Sequence, residues 1–150
     1  MKIGYITDKG RRRPKNEDAL RVLPEYNFFM LADGVGGNRS GEIASRTALD
    51  ALQKFIEHNP LGKLGGRDEV FRYFEAAVAF VDNAIMTISE AEPSYVGMAT
   101  TLVFAYIDDR IMYIANVGDS RAYLVHRGEM RQITEDHTYV NDLVKMGALT

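Results

Sequence analysis

Apolar positions change their spacing along this chain, from short runs to a three-to-four repeat and then to near-alternation. The runs "KIGYIT" (2–7) and "ALRVL" (19–23) predict short strands around a charged loop. "YNFFMLAD" (26–33) is nearly continuous and ends in an acid, the pattern of a strand buried on both faces. Glycines then crowd "DGVGGNRSG" (33–41), which predicts a loop. From Ser40 to about His58 the spacing turns helical, with Ala44, Ala48, Ala51, Leu52 and Phe55 on one face. Ser40 suits the N-cap and Glu42 the first turn. "NPLGKLGGR" (59–67) has linker composition but is too short to separate domains. A second helix follows from an Asp68 N-cap to about Glu92, with Val70, Phe74, Ala77, Val81, Ala84, Ile85 and Ile88 at helical spacing.

Beyond it the period shortens to that of strands. Segments 99–108, 110–117, 120–127 and 129–134, with turn signals at Asp108-Asp109, Gly118-Asp119 and Gly128, predict a meander of antiparallel hairpins. A last helix is predicted from Tyr139 to Met146, ending at Gly147 as its C-terminal cap. Strands, two helices, strands, helix is an α+β order, with the helix pair against one face of an antiparallel sheet stack.

Composition narrows the chemistry. The 150 residues are 46 % apolar and 26 % charged, an ordinary globular balance for one domain with a substantial core. Formal charge is −3, so the basic block Arg11 to Lys15 is local and lacks the interleaved aromatics of a nucleic-acid surface. No cysteine is present, which excludes disulfides, thiolate zinc sites and a cysteine nucleophile. No run has a signal-peptide core or the length of a membrane span, and a soluble cytoplasmic protein is expected, with no membrane partner.

The candidate chemistry begins at "RRRPKNEDAL" (11–20), where the densest positive charge abuts two carboxylates. Either this is a solvated loop whose charges offset one another, or it is a site for both an anion and a cation. Asp33-Gly34 closes a buried strand, and the glycine lets a backbone carbonyl approach a ligand. Carboxylate and carbonyl oxygens suit Mg²⁺ or Mn²⁺, while the competing reading is a tight turn in which Asp33 bonds its own backbone. A hairpin could bring Glu17 and Asp18 beside Asp33, and converging carboxylates would raise one another's pKa unless a cation, or Arg13, offset them. In "ANVGDSRAY" (115–123), Gly118-Asp119 reads either as a two-residue hairpin turn or as an aspartate reaching over a metal. His58 and His126 read as surface residues, His137 has no metal-ligand spacing, and Ser40 and Ser120 have no evident base partner.

Together "GRRRPKNED", "LADGVGG", "SGEIAS", "GMATTLV", "ANVGDSRAY" and "ITEDHTYVNDLVKMGALT" resemble the metal-dependent protein serine/threonine phosphatases, the type-2C or PPM group, in its bacterial subfamily. The segments occur in family order from Gly10 to Thr150. The resemblance implies a four-layer α-β-β-α sandwich with antiparallel sheets and a centre of two or more Mn²⁺ or Mg²⁺ ions. It implies that Arg13 grips the substrate phosphate and that Glu17, Asp33 and the Gly34 carbonyl bind metal. It further implies that Asp18 orients metal-bound water and that Asp119 helps hold a further, weaker metal. Water activated between two divalent ions would then attack phosphorus in line, with no phosphoenzyme. Implied partners are phosphoserine and phosphothreonine proteins, including a cognate serine/threonine kinase.

The chain departs from the pattern in three places. Val35 stands where many eukaryotic members carry a histidine proposed as general acid, so no general acid is assigned. Ala99 replaces a glycine common in bacterial members. The family's domain also continues past "VNDLVKMGALT" to a Ser-Asp-Gly and an Asp-Asn motif whose aspartates complete the metal centre, and neither lies beyond that segment here. Residues 1–150 are therefore expected to be the N-terminal portion of a single phosphatase domain without its C-terminal strands. Two functions follow, a phosphatase active in its full-length form, or a truncated or degenerate module that binds phosphoprotein or a partner without hydrolysis. Unpaired edges and an uncovered apolar face also predict self-association of such a chain.

Overall fold

A computed structural model describes residues 1–36, 40–62 and 66–138. Two strands, β1 (Asp18–Leu23) and β2 (Phe28–Val35), form an antiparallel hairpin around a 3-10 turn at Pro24–Tyr26. Two helices follow, α1 (Ser40–His58) and α2 (Arg67–Ala91), then β3 (Ala99–Thr100), β4 (Leu102–Asp108), β5 (Ile111–Val117), β6 (Tyr123–His126) and β7 (Glu129–Gln132). One antiparallel sheet runs β1-β2-β4-β5 with β3 also on β2, and β6 and β7 form a separate two-stranded sheet. The mixture of a helix pair and antiparallel sheets is the expected α+β class. The last predicted helix, Tyr139 to Met146 with Gly147, lies outside the described residues.

The core sits between the helix pair and one face of the larger sheet. Phe28, Met30 and Ala32 of β2 and Leu102, Phe104 and Tyr106 of β4 point inward, two residues apart along each strand. They meet Ala48, Leu49, Leu52 and Ile56 of α1 and Val70, Phe74, Ala77 and Val81 of α2. Phe74 meets Phe104 edge-on at 4.7 Å between ring centres, a geometry aromatic quadrupoles favour. Arg21 of β1 fastens α1 to the sheet by donating to the Leu49 carbonyl and the Gln53 amide oxygen, and by pairing with Asp50 at 2.7 Å. The helical repeat thus identified the buried stripe of α2 through Val81 and most of that of α1, missing Leu49 and Ile56.

Several expectations are corrected. Residues 2–7 form no strand and are exposed, because a strand requires a neighbour for its backbone donors and acceptors and no described strand pairs with them. β2 is buried on alternate residues only, since helices cover one of its faces while Leu31 remains 42 % exposed on the other. The helix after the linker is preceded by Gly66 as N-cap, placing Asp68 inside the first turn. The predicted meander is broken at its middle. β4 pairs with β5 and β6 with β7, but β5 and β6 lie in different sheets, so Gly118-Asp119 is not a hairpin turn.

Candidate functional site

The site grows from the β1–β2 hairpin. Its register sets Asp18 directly opposite Asp33, and the Gly34 N–H donates to the Glu17 carbonyl at 3.1 Å one step further along. Adjacent residues of "NED" and "ADG" therefore face one another across two strands. Asn16 shapes the entry, because its side-chain oxygen accepts the Asp18 N–H at 3.2 Å while its amide donates to Thr7 Oγ1 at 2.7 Å. The β1–β2 hairpin brings Glu17 and Asp18 beside Asp33, whereas the sequence pattern sets the pair in a loop between strands 2–7 and 19–23, the first of which does not form.

The other strand neighbour locks Asp33 from behind. Val35 pairs with Ala99 and Gly34 with Thr100, and the same register resumes from Leu31 opposite Val103, which leaves Asp33 opposite Thr101. The Asp33 N–H donates to Thr101 Oγ1 at 3.0 Å, and the Asp33 carbonyl accepts from the Thr101 N–H at 2.9 Å and from Thr100 Oγ1 at 3.0 Å. Thr101 therefore takes up both backbone polar groups of Asp33, which is not the self-bonded tight turn that its sequence context also allowed.

The first turn of α1 packs tightly beneath. A Cβ on Gly34 would lie 1.9 Å from the Gly41 carbonyl oxygen, and one on Gly41 would lie 2.8 Å from Glu17 Oε1. Only glycine fits at either position. The Glu17 carboxylate is thereby held at the positive end of the helix dipole, where negative charge is favoured.

These groups open onto a cleft of about 520 Å³ bordered by Arg13, Glu17, Asp18, Asp33, Thr101 and Asp119, among others. Its electrostatics are under tension. Partial desolvation is the largest influence raising the Asp33 pKa, followed by the charge of Asp18, a hydrogen bond with Asp18 and the charge of Asp119, while Arg13 acts the other way. A carboxylate pushed up by its neighbours is relieved by a cation. The donors bordering the cleft are carboxylate and carbonyl oxygens, the set that Mg²⁺ and Mn²⁺ take, so the residues fit a hard divalent ion. Among the described residues, no three acidic or histidine side chains are grouped closely enough to hold an ion on their own.

The remaining candidates separate cleanly. Arg13 and Lys15 border the cleft, whereas Arg11 and Arg12 do not. Asp119 lies on the segment between β5 and β6, across the cleft from the hairpin. Its loop is fixed from several sides. Asn116 donates to the carbonyls of Gly118 and Glu135, the His137 N–H donates to the Gly118 carbonyl, and Arg121 grips Asp136 with two donors. Val35 also borders the cleft, and no histidine does among the described residues. His58 ends α1 with its ring nitrogen on the Lys54 carbonyl, and His126 is exposed on β6. Ser120 shares a 2.7 Å hydrogen bond with Thr101, and Ser40 is buried at the start of α1. Sequence reasoning missed the separate roles of Asn16 and Thr101. The Asn-Glu-Asp order offered an Asx-turn signal for the first, and nothing local signalled the second.

Three comparisons bear on this arrangement. The family model described as protein phosphatase 2C matches residues 10–143. A serine/threonine phosphatase stp of Listeria innocua is 35 % identical over 153 residues, covering 100 % of this chain and 60 % of that protein. The serine/threonine protein phosphatase PstP of Mycobacterium tuberculosis is 37 % identical over 150 residues, which is 100 % of this chain and 28 % of the relative. A crystal structure of the PstP catalytic domain in complex with two manganese ions superposes with a TM-score of 0.79 at 36 % identity, over 95 % of this chain and 59 % of that one. The chain thus spans less than two-thirds of the length of these relatives.

Proposed function

This chain belongs to the protein phosphatase 2C family, and from that premise we propose that its cleft serves metal-dependent hydrolysis of phosphoserine and phosphothreonine in proteins. The observation that carries this reading is the hairpin register setting Asp18 against Asp33 and Glu17 against Gly34, with Arg13 on the same cleft. Glu17, Asp33 and the Gly34 carbonyl would hold Mn²⁺ or Mg²⁺, with Asp119 contributing to a further ion. When bound, the ions supply Lewis acidity and a water that ionises near neutral pH. Arg13 would receive the phosphoryl oxygens by charge-assisted hydrogen bonds. Asp18 would orient the attacking water by accepting its proton in a hydrogen bond. Val35 offers no proton to the leaving group, so the chain's own residues assign no general acid. Partners on this reading are cytoplasmic phosphoproteins, a cognate kinase among them.

The competing reading is a phosphoprotein-binding module without turnover. It is favoured for residues 1–150 alone by the absence, among the described residues, of a grouped three-ligand site. Replacing Asp33 by asparagine tests the metal-dependent reading. The substitution keeps the shape and removes the charge that offsets the ions. In a polypeptide extended to the full length of the relatives, D33N is expected to abolish Mn²⁺-dependent phosphopeptide hydrolysis. Retention of roughly a tenth of the wild-type rate would rule out Asp33 as a ligand to ions that activate water.

A further inference from the structure

We infer that Thr101 is a positioning residue that sets the Asp33 carboxylate relative to the loop carrying Asp119. This rests on the reading of both aspartates as metal ligands. The Thr101 hydroxyl accepts the Asp33 N–H at 3.0 Å and shares a 2.7 Å hydrogen bond with Ser120 Oγ, the neighbour of Asp119. One oxygen therefore joins two cleft walls, one 68 positions from Thr101 in the chain and the other 19.

Its methyl group works on the same loop. A Cβ on Gly118 would lie 2.7 Å from Thr101 Cγ2, and Gly118 has φ +98°, where only glycine is at ease. The Asp119 loop is thus seated against the methyl and tied to the hydroxyl at closely spaced residues. Two substituents on one β-carbon restrict χ1, so the two contacts fix each other's direction. Valine has the shape without the hydroxyl, and serine the hydroxyl without the methyl. The two substitutions therefore separate positioning from packing.

The test is Mn²⁺ binding by the chain itself, read from the electron paramagnetic resonance signal of the free ion, with the metal-free melting temperature measured in parallel. Thr101→Val is expected to weaken Mn²⁺ binding about fivefold or more, since it removes both hydrogen bonds of the hydroxyl. Thr101→Ser should stay within about twofold of wild type, since its hydroxyl can make the same bonds. Should T101V fail to fold, Ser120→Ala carries the test, because it cuts the link between the walls and spares the Asp33 N–H bond. It too is expected to weaken binding about threefold or more. T101V, or S120A in its place, binding as wild type overturns the inference alone. T101S losing as much as T101V also overturns it, assigning Thr101 to packing. Wild-type chain that binds no Mn²⁺ overturns this inference, since Asp33 and the Asp119 loop then hold no ion for Thr101 to position them around.

Discussion

Of the three consecutive arginines, Arg13 borders the cleft with the carboxylates, and Arg11 and Arg12 do not. Charge alone cannot rank them, since all three sit within one short loop and would contribute alike to a diffuse field. A specific clamp would distinguish them. A hydrogen bond to a charged partner is worth about 1.5–3 kcal/mol, which corresponds to roughly ten- to a hundredfold in kcat/KM. In a polypeptide extended to the length of the relatives, Arg13→Ala is expected to lose that much on a phosphopeptide, with R11A and R12A near wild type. Equal losses at all three positions would establish a diffuse patch instead. Asp33-Gly34 could be read from the sequence because it closes an apolar strand, and the family resemblance added Glu17 and Asp18, whose pairing with it is set by the β1–β2 hairpin. Thr101 could not, because its relation to Asp33 exists only through a strand register spanning 68 positions.

Elements divide the same way. The stripes of α1 and α2 depend on a local repeat, and the buried positions Ala44, Ala48, Val70 and Phe74 follow from it directly. Strand pairing is not local. Alternation marks β5 and β6 as strands without stating that they belong to different sheets, which is why Gly118-Asp119 resembled a hairpin turn. What holds that crossing segment is the Arg121–Asp136 pair, with Arg121 Nε donating to Asp136 Oδ1 at 2.8 Å. The hydrogen bond from Arg121 is the first influence lowering the Asp136 pKa, against an opposing desolvation, with the charge of Arg121, a hydrogen bond from Gln132 and the charge of His137 adding to the lowering. A lowered folded-state value means the pair stabilises above the ordinary aspartate range and is lost as pH falls through the lowered value. Asp136→Asn should therefore unfold more readily than wild type near neutral pH, and the gap should close as the solution is acidified below about pH 4. Urea titrations of both proteins across that range check this, and a gap independent of pH would show that the pair's charge contributes nothing.

At the scale of the molecule, the larger sheet has two unlike faces. The inner one is closed by α1 and α2. The outer one presents Val22, Phe29, Leu31, Val103 and Met112 along a groove of about 540 Å³ that Tyr123 of β6 also borders, with Leu31 42 %, Met112 43 % and Tyr123 44 % exposed. An apolar stretch of this kind, open along a sheet, marks a surface that associates. Among the described residues β5 is an edge strand of its sheet and β6–β7 a two-stranded sheet, and such edges also favour joining of strands between chains. Residues 1–150 expressed alone are therefore expected to run as a dimer or larger species in light scattering. They are also expected to be inactive on a phosphopeptide with added Mn²⁺. The carboxylates on this cleft lack a grouped three-ligand set among the described residues, and activation of a water between two ions needs both ions held. The two expectations fail separately. A monomer would show that the outer face is covered from within the chain, by the segment at Ile3 to Ile6 that borders the groove. Turnover by residues 1–150 would instead show that Glu17, Asp33, the Gly34 carbonyl and Asp119 suffice for the chemistry without ligands from any further segment.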